Sequence, residues 1–278
     1  MNAAAPWATG PEGSAGAPAH VEIRDLSKVY ATTGRPVRAL DQVSLSAERG
    51  TFISIIGPSG CGKSTLLMMV AGLLPSSSGA VLIDGQEVKR PITDVGIVFQ
   101  SPVLLDWRST LKNVLIQAEA RGLEKTVSEA RARDLLASVG LAGFEDRYPF
   151  ELSGGMQQRV AICRALLHDP TLLLMDEPFG ALDAFTRDQM MLDLQRLWLR
   201  RQKTVLFITH SVPEAVFLSD YVVVMTPRPG RIDRVLKIDL PRPRAIGVRE
   251  SREFAGYVKT LFDVFLAFGV IKDSALPE

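Results

Sequence analysis

Lys63 and Ser64 close the run Gly57-Pro58-Ser59-Gly60-Cys61-Gly62-Lys63-Ser64, which has the spacing G-x-x-x-x-G-K-[ST]. Glycines so placed let a backbone close around a polyphosphate with its N–H groups turned inward. An ammonium at Lys63 reaches the outer phosphates and a hydroxyl at Ser64 holds a magnesium ion. The helix that follows, with Thr65 in its first turn, aims its positive end at the anion. The setting suits this chemistry: Thr51 to Ile56 is apolar and β-rich before the loop, and Thr65 to Ala71 is apolar and helix-compatible after it,.

A second chemical feature ends another apolar run. Leu172 to Met175 leads into Asp176 and Glu177, as a buried strand does when it delivers carboxylates to the ligand-binding edge of a sheet,. Taken alone, two acids at a strand end serve equally as a solvated turn. Beside a phosphate loop, Asp176 is placed to hold magnesium through water and Glu177 to orient the attacking water. Leu152-Ser153-Gly154-Gly155 reads as a cap residue and two glycines with free N–H groups, opening a helix that runs to about Leu167. That is a second anion-binding helix N-terminus or an ordinary capped helix. His210, one of three histidines, directly follows the β-like run Thr204 to Ile208 and is read as functional. On residue type alone, Tyr30 fits packing and Gln100 has no assigned role. Asp183 fits a helix N-cap.

These residues need a scaffold that brings distant segments to one edge. Short β-like runs (Val21 to Leu26, Val43 to Ala47, Thr51 to Ile56, Ala80 to Ile83) precede a strand at Val95 to Phe99. Leu111 to Arg121 and Val127 to Val139 then carry apolar residues at helical spacing with no strand between them, which predicts a helical insertion. Strand and helix alternate again through Leu172 to Met175, Ala184 to Arg201, Thr204 to Ile208, Val212 to Leu218 and Tyr221 to Met225. This alternation predicts an α/β fold with a parallel sheet and crossover helices. Arg228-Pro229-Gly230-Arg231 reads as a turn, with a strand near Val235 to Leu240 and a last helix near Ser251 to Phe268. On that helix Phe254, Tyr257, Val258, Leu261, Phe262 and Phe265 form one apolar stripe, expected to pack on the protein's own core because few basic residues flank it.

Composition narrows the classes. The chain has 278 residues, 46% of them hydrophobic, which is ample for a buried core,. No apolar run approaches the ~18 residues that cross a bilayer, and the N-terminus lacks a signal-like basic start and apolar core. Residues 1 to about 19 are mostly Ala, Gly and Pro and are expected to be a disordered tail. Cys61 and Cys163 show neither a disulfide framework nor metal-ligand spacing and are expected to be reduced and cytosolic,. A formal charge of +1 argues against a broad nucleic-acid surface,.

The octapeptide Leu152 to Arg159 resembles the signature motif of the ATP-binding cassette (ABC) ATPases, a motif that contacts the γ-phosphate of ATP held by a second subunit's phosphate loop. The resemblance spans nearly everything from Val21 to about Ile238. It implies a P-loop NTPase (RecA-like) core with an antiparallel β subdomain and an inserted α-helical subdomain, over residues 20–245. The helical subdomain would occupy about 101–158, and 246–278 would form a helical extension. Tyr30 matches the aromatic that stacks on adenine, and Gln100 the glutamine that contacts metal and attacking water. Asp183 matches the loop that crosses the dimer interface, and His210 the histidine that senses the γ-phosphate. The implied cofactors are ATP and Mg2+, and the competent species is a head-to-tail homodimer in which Ser153, Gly154 and Gly155 complete the partner's site.

Ser101 to Val114, Met175 to Arg187 and Ser211 to Ile232 look like the nitrate, sulfonate and taurine importers of bacteria, except that Asp106 stands where that subfamily commonly has Pro. This implies an ATP-hydrolysing importer subunit peripheral to the cytoplasmic face of the inner membrane. Its partners would be integral-membrane permease subunits and a periplasmic or lipoprotein solute-binding protein, with no nucleic acid. The alternative is a non-transport ABC ATPase of DNA repair or translation, but such proteins resemble paired cassettes or cassettes with long coiled coils, neither of which is present here.

Overall fold

Residues 19–270 are described by a computed structural model. The chain runs β1 (Val21–Tyr30), β2 (Val37–Ala47), β3 (Phe52–Ile56), α1 (Lys63–Val70), β4 (Ser78–Ile83), β5 (Gln86–Glu87) and β6 (Val95–Val98). Helices α2 (Thr110–Arg121), α3 (Lys125–Ser138) and α4 (Gly154–Leu166) follow without an intervening strand. Then come β7 (Leu172–Asp176), α5 (Ala184–Arg200), β8 (Thr204–Ile208), α6 (Val212–Leu218), β9 (Tyr221–Met225), β10 (Ile232–Lys237) and α7 (Arg252–Ala267). The predicted tail lies outside the described residues, save Ala19.

Two sheets form. One has strand order β2-β1-β4-β5 and is antiparallel; the other runs β10-β9-β3-β8-β7-β6. In the second sheet β9, β3, β8, β7 and β6 are mutually parallel, and only the edge strand β10 is antiparallel. Its inner strands are predominantly apolar because both faces are covered, as parallel sheets require,. Period-two alternation divides them. Phe52, Leu173, Met175, Val205, Phe207, Val222 and Val224 enter the core shared with α5, α6 and α7. Ile53, Ile55, Leu172, Leu174, Leu206, Ile208 and Val223 enter the core shared with α1 and the antiparallel sheet. A third cluster unites α2, α3 and α4 through Val114, Ala132, Leu136, Val160, Cys163 and Leu167.

The last strand starts earlier than the sequence suggests, at Ile232 instead of Val235. The preceding turn is closed by a bond from Thr226 N–H to the Arg231 carbonyl (2.9 Å), which sets Ile232 opposite Met225 and leaves Ile238 to Leu240 beyond the ladder. The apolar stripe of α7 does pack inward: Phe254, Leu261, Val264 and Phe265 are buried in the core, with Tyr257 and Val258 against it. Phe262 is the exception and remains exposed.

Candidate nucleotide site

The C-terminal ends of the parallel strands all reach one edge of the sheet. There β3 ends at the phosphate loop, β7 at Asp176, β8 just before Thr209 and His210, and β6 just before Gln100. This is the edge where open α/β sheets bind ligands. It holds a pocket of about 500 Å3, within the roughly 300–1,000 Å3 common for small-molecule sites, lined in part by Tyr30, Gly62, Lys63, Ser64, Gln100 and Glu177. Ser59, Gly60, Thr65 and Asp176 complete its polar wall, whereas Gly57, Pro58 and Cys61 lie behind that surface. Burial pushes the Cys61 thiol above its usual range, so it behaves as a packed apolar group there,.

Glycine is demanded at position 62, where φ is +108° and a Cβ would sit 2.7 Å from Leu40 Cδ2,. The residue caps α1, so the loop passes directly into the helix N-terminus. Lys63 is buried, and its Nζ donates to the carbonyls of Gly57 (2.9 Å) and Pro58 (3.2 Å). A buried ammonium whose partners are two carbonyls lacks a counter-ion, and that lack fits a polyphosphate. Ser64 Oγ donates to Asp176 Oδ1 (3.1 Å), a hydroxyl–carboxylate pair that suits an oxygen-preferring cation,. Burial raises the Asp176 pKa, the Ser64 bond opposes this, and the Glu177 charge raises it further; a divalent cation would relieve both upward pushes,.

Glu177 adopts φ +45°, a left-handed conformation that is costly for a side chain of this size,. It is held there by its own N–H, bonded to the Ile208 carbonyl (2.9 Å), and by its carbonyl, which accepts from Gly180 N–H (3.1 Å). The carboxylate consequently turns toward His210, whose Nδ1 lies 3.2 Å from Glu177 Oε2. Gln100 joins the same group. A Cβ built on Gly180 would stand 3.6 Å from Gln100 Nε2 and 3.7 Å from His210 Cε1. Tyr30 is exposed at the mouth, its hydroxyl 3.3 Å from Thr65 Oγ1.

Ser153, Gly154, Gly155 and Asp183 are not brought into this pocket. Ser153 caps α4 by accepting from Met156 N–H (3.3 Å), and Asp183 caps α5 by accepting from Thr186 N–H (3.0 Å). The two helix starts abut: a Cβ on Gly155 would meet Thr186 Cγ2 at 2.5 Å. Ser153, Gly154 and Asp183 stay exposed.

Two features escape a sequence reading. Arg228 lines the pocket and donates twice to the Gly60 carbonyl, from Nε (3.1 Å) and Nη2 (2.8 Å), bracing the phosphate loop from the far side. The only signal is a cation in the turn between β9 and the edge strand β10. Behind His210, buried Glu214 accepts from Thr209 Oγ1 (2.6 Å) and faces Arg187 (3.5 Å), which also donates to the Leu182 carbonyl (2.8 Å). Burial raises the Glu214 pKa while those partners lower it, and the chain of contacts ties His210 to the segment ending at Asp183.

Comparison with known proteins agrees with this geometry. Residues 40–180 match the family model described as ABC transporter. An ABC transporter ATP-binding protein of Methanocaldococcus jannaschii is 50% identical over 88% of this chain and 90% of its own length. The taurine import ATP-binding protein TauB of Rhizobium johnstonii is 49% identical over 75% of this chain and 80% of its own. The aliphatic sulfonates import ATP-binding protein SsuB of Bacillus cereus is 40% identical over 91% and 99%. Among solved structures, a dimeric ATP-binding cassette in a post-hydrolysis state bound to ADP and Pi aligns with a TM-score of 0.70 at 32% identity, covering 80% of this chain and 100% of that one. With its phosphate loop and paired carboxylates inside the matched region, the chain belongs to the ABC transporter family.

Proposed function

We propose that two copies of this chain hydrolyse ATP between them and drive uptake of a small solute of the sulfonate, taurine or nitrate class through a separate membrane permease. The observation that carries the reading is a half-built site. Lys63, Ser64, Asp176 and Glu177 line one pocket with His210 against Glu177, while Ser153 to Gly155, the other candidate anion-binding backbone, does not line it. A second copy turned head to tail supplies what the first lacks. The solute class rests on relatives that are named taurine and aliphatic sulfonates import ATP-binding proteins.

The roles divide by chemistry. Tyr30 offers a face for the adenine ring, and Gly60, Gly62 and Lys63 bind the phosphates. Ser64, Asp176 and Gln100 would hold Mg2+, which supplies charge neutralisation on the outer phosphates. Glu177 accepts a hydrogen bond from the attacking water, and His210 fixes that carboxylate and reads the γ-phosphate. The partner's Ser153, Gly154 and Gly155 would add neutral donors opposite Lys63.

Motion reaches the permease through the helical layer. Exposed Val103, Trp107 and Phe150 lie in the segments that flank it, with Trp107 74% and Phe150 77% exposed. Large apolar side chains left exposed beside the helical layer suit a partner contact. The placement is the cytoplasmic face of the inner membrane; no helix among the described residues is long and apolar enough to cross a membrane. A solute-binding protein on the other face would deliver the cargo.

The test is reconstitution with the cognate permease in proteoliposomes. Taurine, alkanesulfonates and nitrate are offered with their binding protein, and both uptake and ATP turnover are measured. Solute-stimulated hydrolysis that vanishes with Glu177→Gln is the expected result. Hydrolysis without transport of any small solute would reject the importer reading.

A further inference from the structure

A second cavity, of about 260 Å3, lies at the opposite side of the molecule's chemistry, in the seam between the helical layer and the main sheet. Its floor is apolar and drawn from both cores. Leu135 belongs to the helical cluster, Leu173, Leu194 and Trp198 to the sheet cluster, and Leu197 touches both. Its rim is cationic: Arg131 comes from α3, while Arg200, Arg201 and Lys203 come from the end of α5 and the residues after it. Only two carboxylates, Asp134 and Asp169, face those four cations.

Asp169 sits among these cations as an ion-pair partner, although its Oδ1 makes no aligned hydrogen bond among the described residues. It pairs with Arg131 (3.1 Å), Lys203 (2.7 Å) and Arg201. Positive charge is therefore in excess over an apolar floor. In addition, Arg131 Nε is buried and has no hydrogen-bond partner among the described residues, although Nη2 donates to the Leu166 carbonyl (3.2 Å). A buried donor left unpaired is costly, and a bound acceptor would satisfy it.

From this juxtaposition we infer that the seam is a binding site for a small amphipathic organic anion, its acid head between Arg131, Arg200 and Lys203 and its short hydrocarbon tail on the floor beside Trp198. The volume lies just under the roughly 300 Å3 at which ordinary small-molecule sites begin, so the tail is limited to about six carbons,. Because the head would bridge α3 to the chain after α5, an occupied cleft braces the helical layer against the sheet. The site shares no lining residue with the nucleotide pocket, and the inference is independent of the transport reading.

Calorimetric titration of the full chain, free of nucleotide, decides it. The probes are 1-butanesulfonate, 1-hexanesulfonate, 1-hexanol and sodium sulfate. Expected is one site per chain for hexanesulfonate, with a Kd below about 1 mM. Affinity should fall about three- to fourfold for each methylene removed, and neither hexanol nor sulfate should bind. Arg200→Glu and Arg131→Gln should each weaken hexanesulfonate at least tenfold, and circular dichroism shows whether Arg131→Gln folds. Should it not fold, Arg200→Glu on the solvent rim decides alone. No saturable binding up to about 10 mM, equal affinity in wild type and Arg200→Glu, or equally tight hexanol binding would each overturn the assignment.

Discussion

At the scale of single residues, Glu177 carries the greatest consequence because its backbone is held in a conformation its side chain disfavours,. The arrangement fixes the carboxylate beside His210. Glu177→Gln keeps the shape and removes the basic oxygen. ATP affinity should stay within about twofold while turnover falls by about 10²- to 10⁴-fold, the usual contribution of a positioned base; equilibrium nucleotide binding and single-turnover hydrolysis separate the two. Arg228 belongs to a different class, since it grips the Gly60 carbonyl and not a reacting atom. Arg228→Ala should loosen the phosphate loop and raise KM for ATP several-fold, a loss of about 1 kcal/mol as for a hydrogen bond of this kind, with kcat changed less. Arg228→Lys, which retains the charge but not the two-pronged grip, should recover only part of the affinity.

Elements position these residues, and here the sequence was legible wherever pattern and chemistry coincide. Lys63, Ser64, Asp176 and His210 stood at the ends of apolar runs of strand length, so strand ends and chemistry identified each other. Arg228, Glu214 and Arg187 were not legible, because their roles depend on contacts between residues 168 and 27 positions apart in the chain, which no local period encodes. The seam cavity was hidden for the same reason: it exists only where two cores meet. Asn113 is another such case. Buried on α2, it accepts from Leu105 N–H (2.8 Å) and donates to the carbonyls of Leu105, Arg108 and Ser109, fixing the loop that exposes Trp107. Asn113→Ala should cost about 1–3 kcal/mol in urea unfolding, the penalty for buried polar groups left unpaired, and should uncouple hydrolysis from the permease.

Asp169 holds α3 to the start of β7 and the end of α5. Burial raises its pKa, but bonds from Lys203 and Arg131 outweigh this and bring it down to about 2 from the ordinary 3.8. A lowered carboxyl pKa gives stability that is present above the unfolded value and is lost as pH falls through the folded one. The melting-temperature gap between wild type and Asp169→Asn should thus be full at pH 6 and should close between pH 3.8 and about 2.

For the whole molecule the question is whether one chain contains a complete site. Within a chain, the start of α4 is capped by Ser153, abuts α5 and stays outside the pocket that holds Lys63. The similar solved cassette is dimeric and bound to ADP and Pi. If the two anion-binding backbones serve one nucleotide only across a pair, defects in them must complement. Lys63→Ala disables the phosphate loop of its own chain, and Ser153→Arg disables only the site that its partner's loop would form. Each variant alone should be inactive. Mixed one to one, random pairing makes about half the dimers mixed, and each mixed dimer has one site with both defects and one with neither. Activity should return to about a quarter of wild type, measured as ATP turnover after equilibration. Ser153→Arg also removes a helix cap worth about 1 kcal/mol, so melting curves must show both variants folded. Two folded variants that restore nothing on mixing would place the complete site within a single chain, and the head-to-tail pair would have to be abandoned.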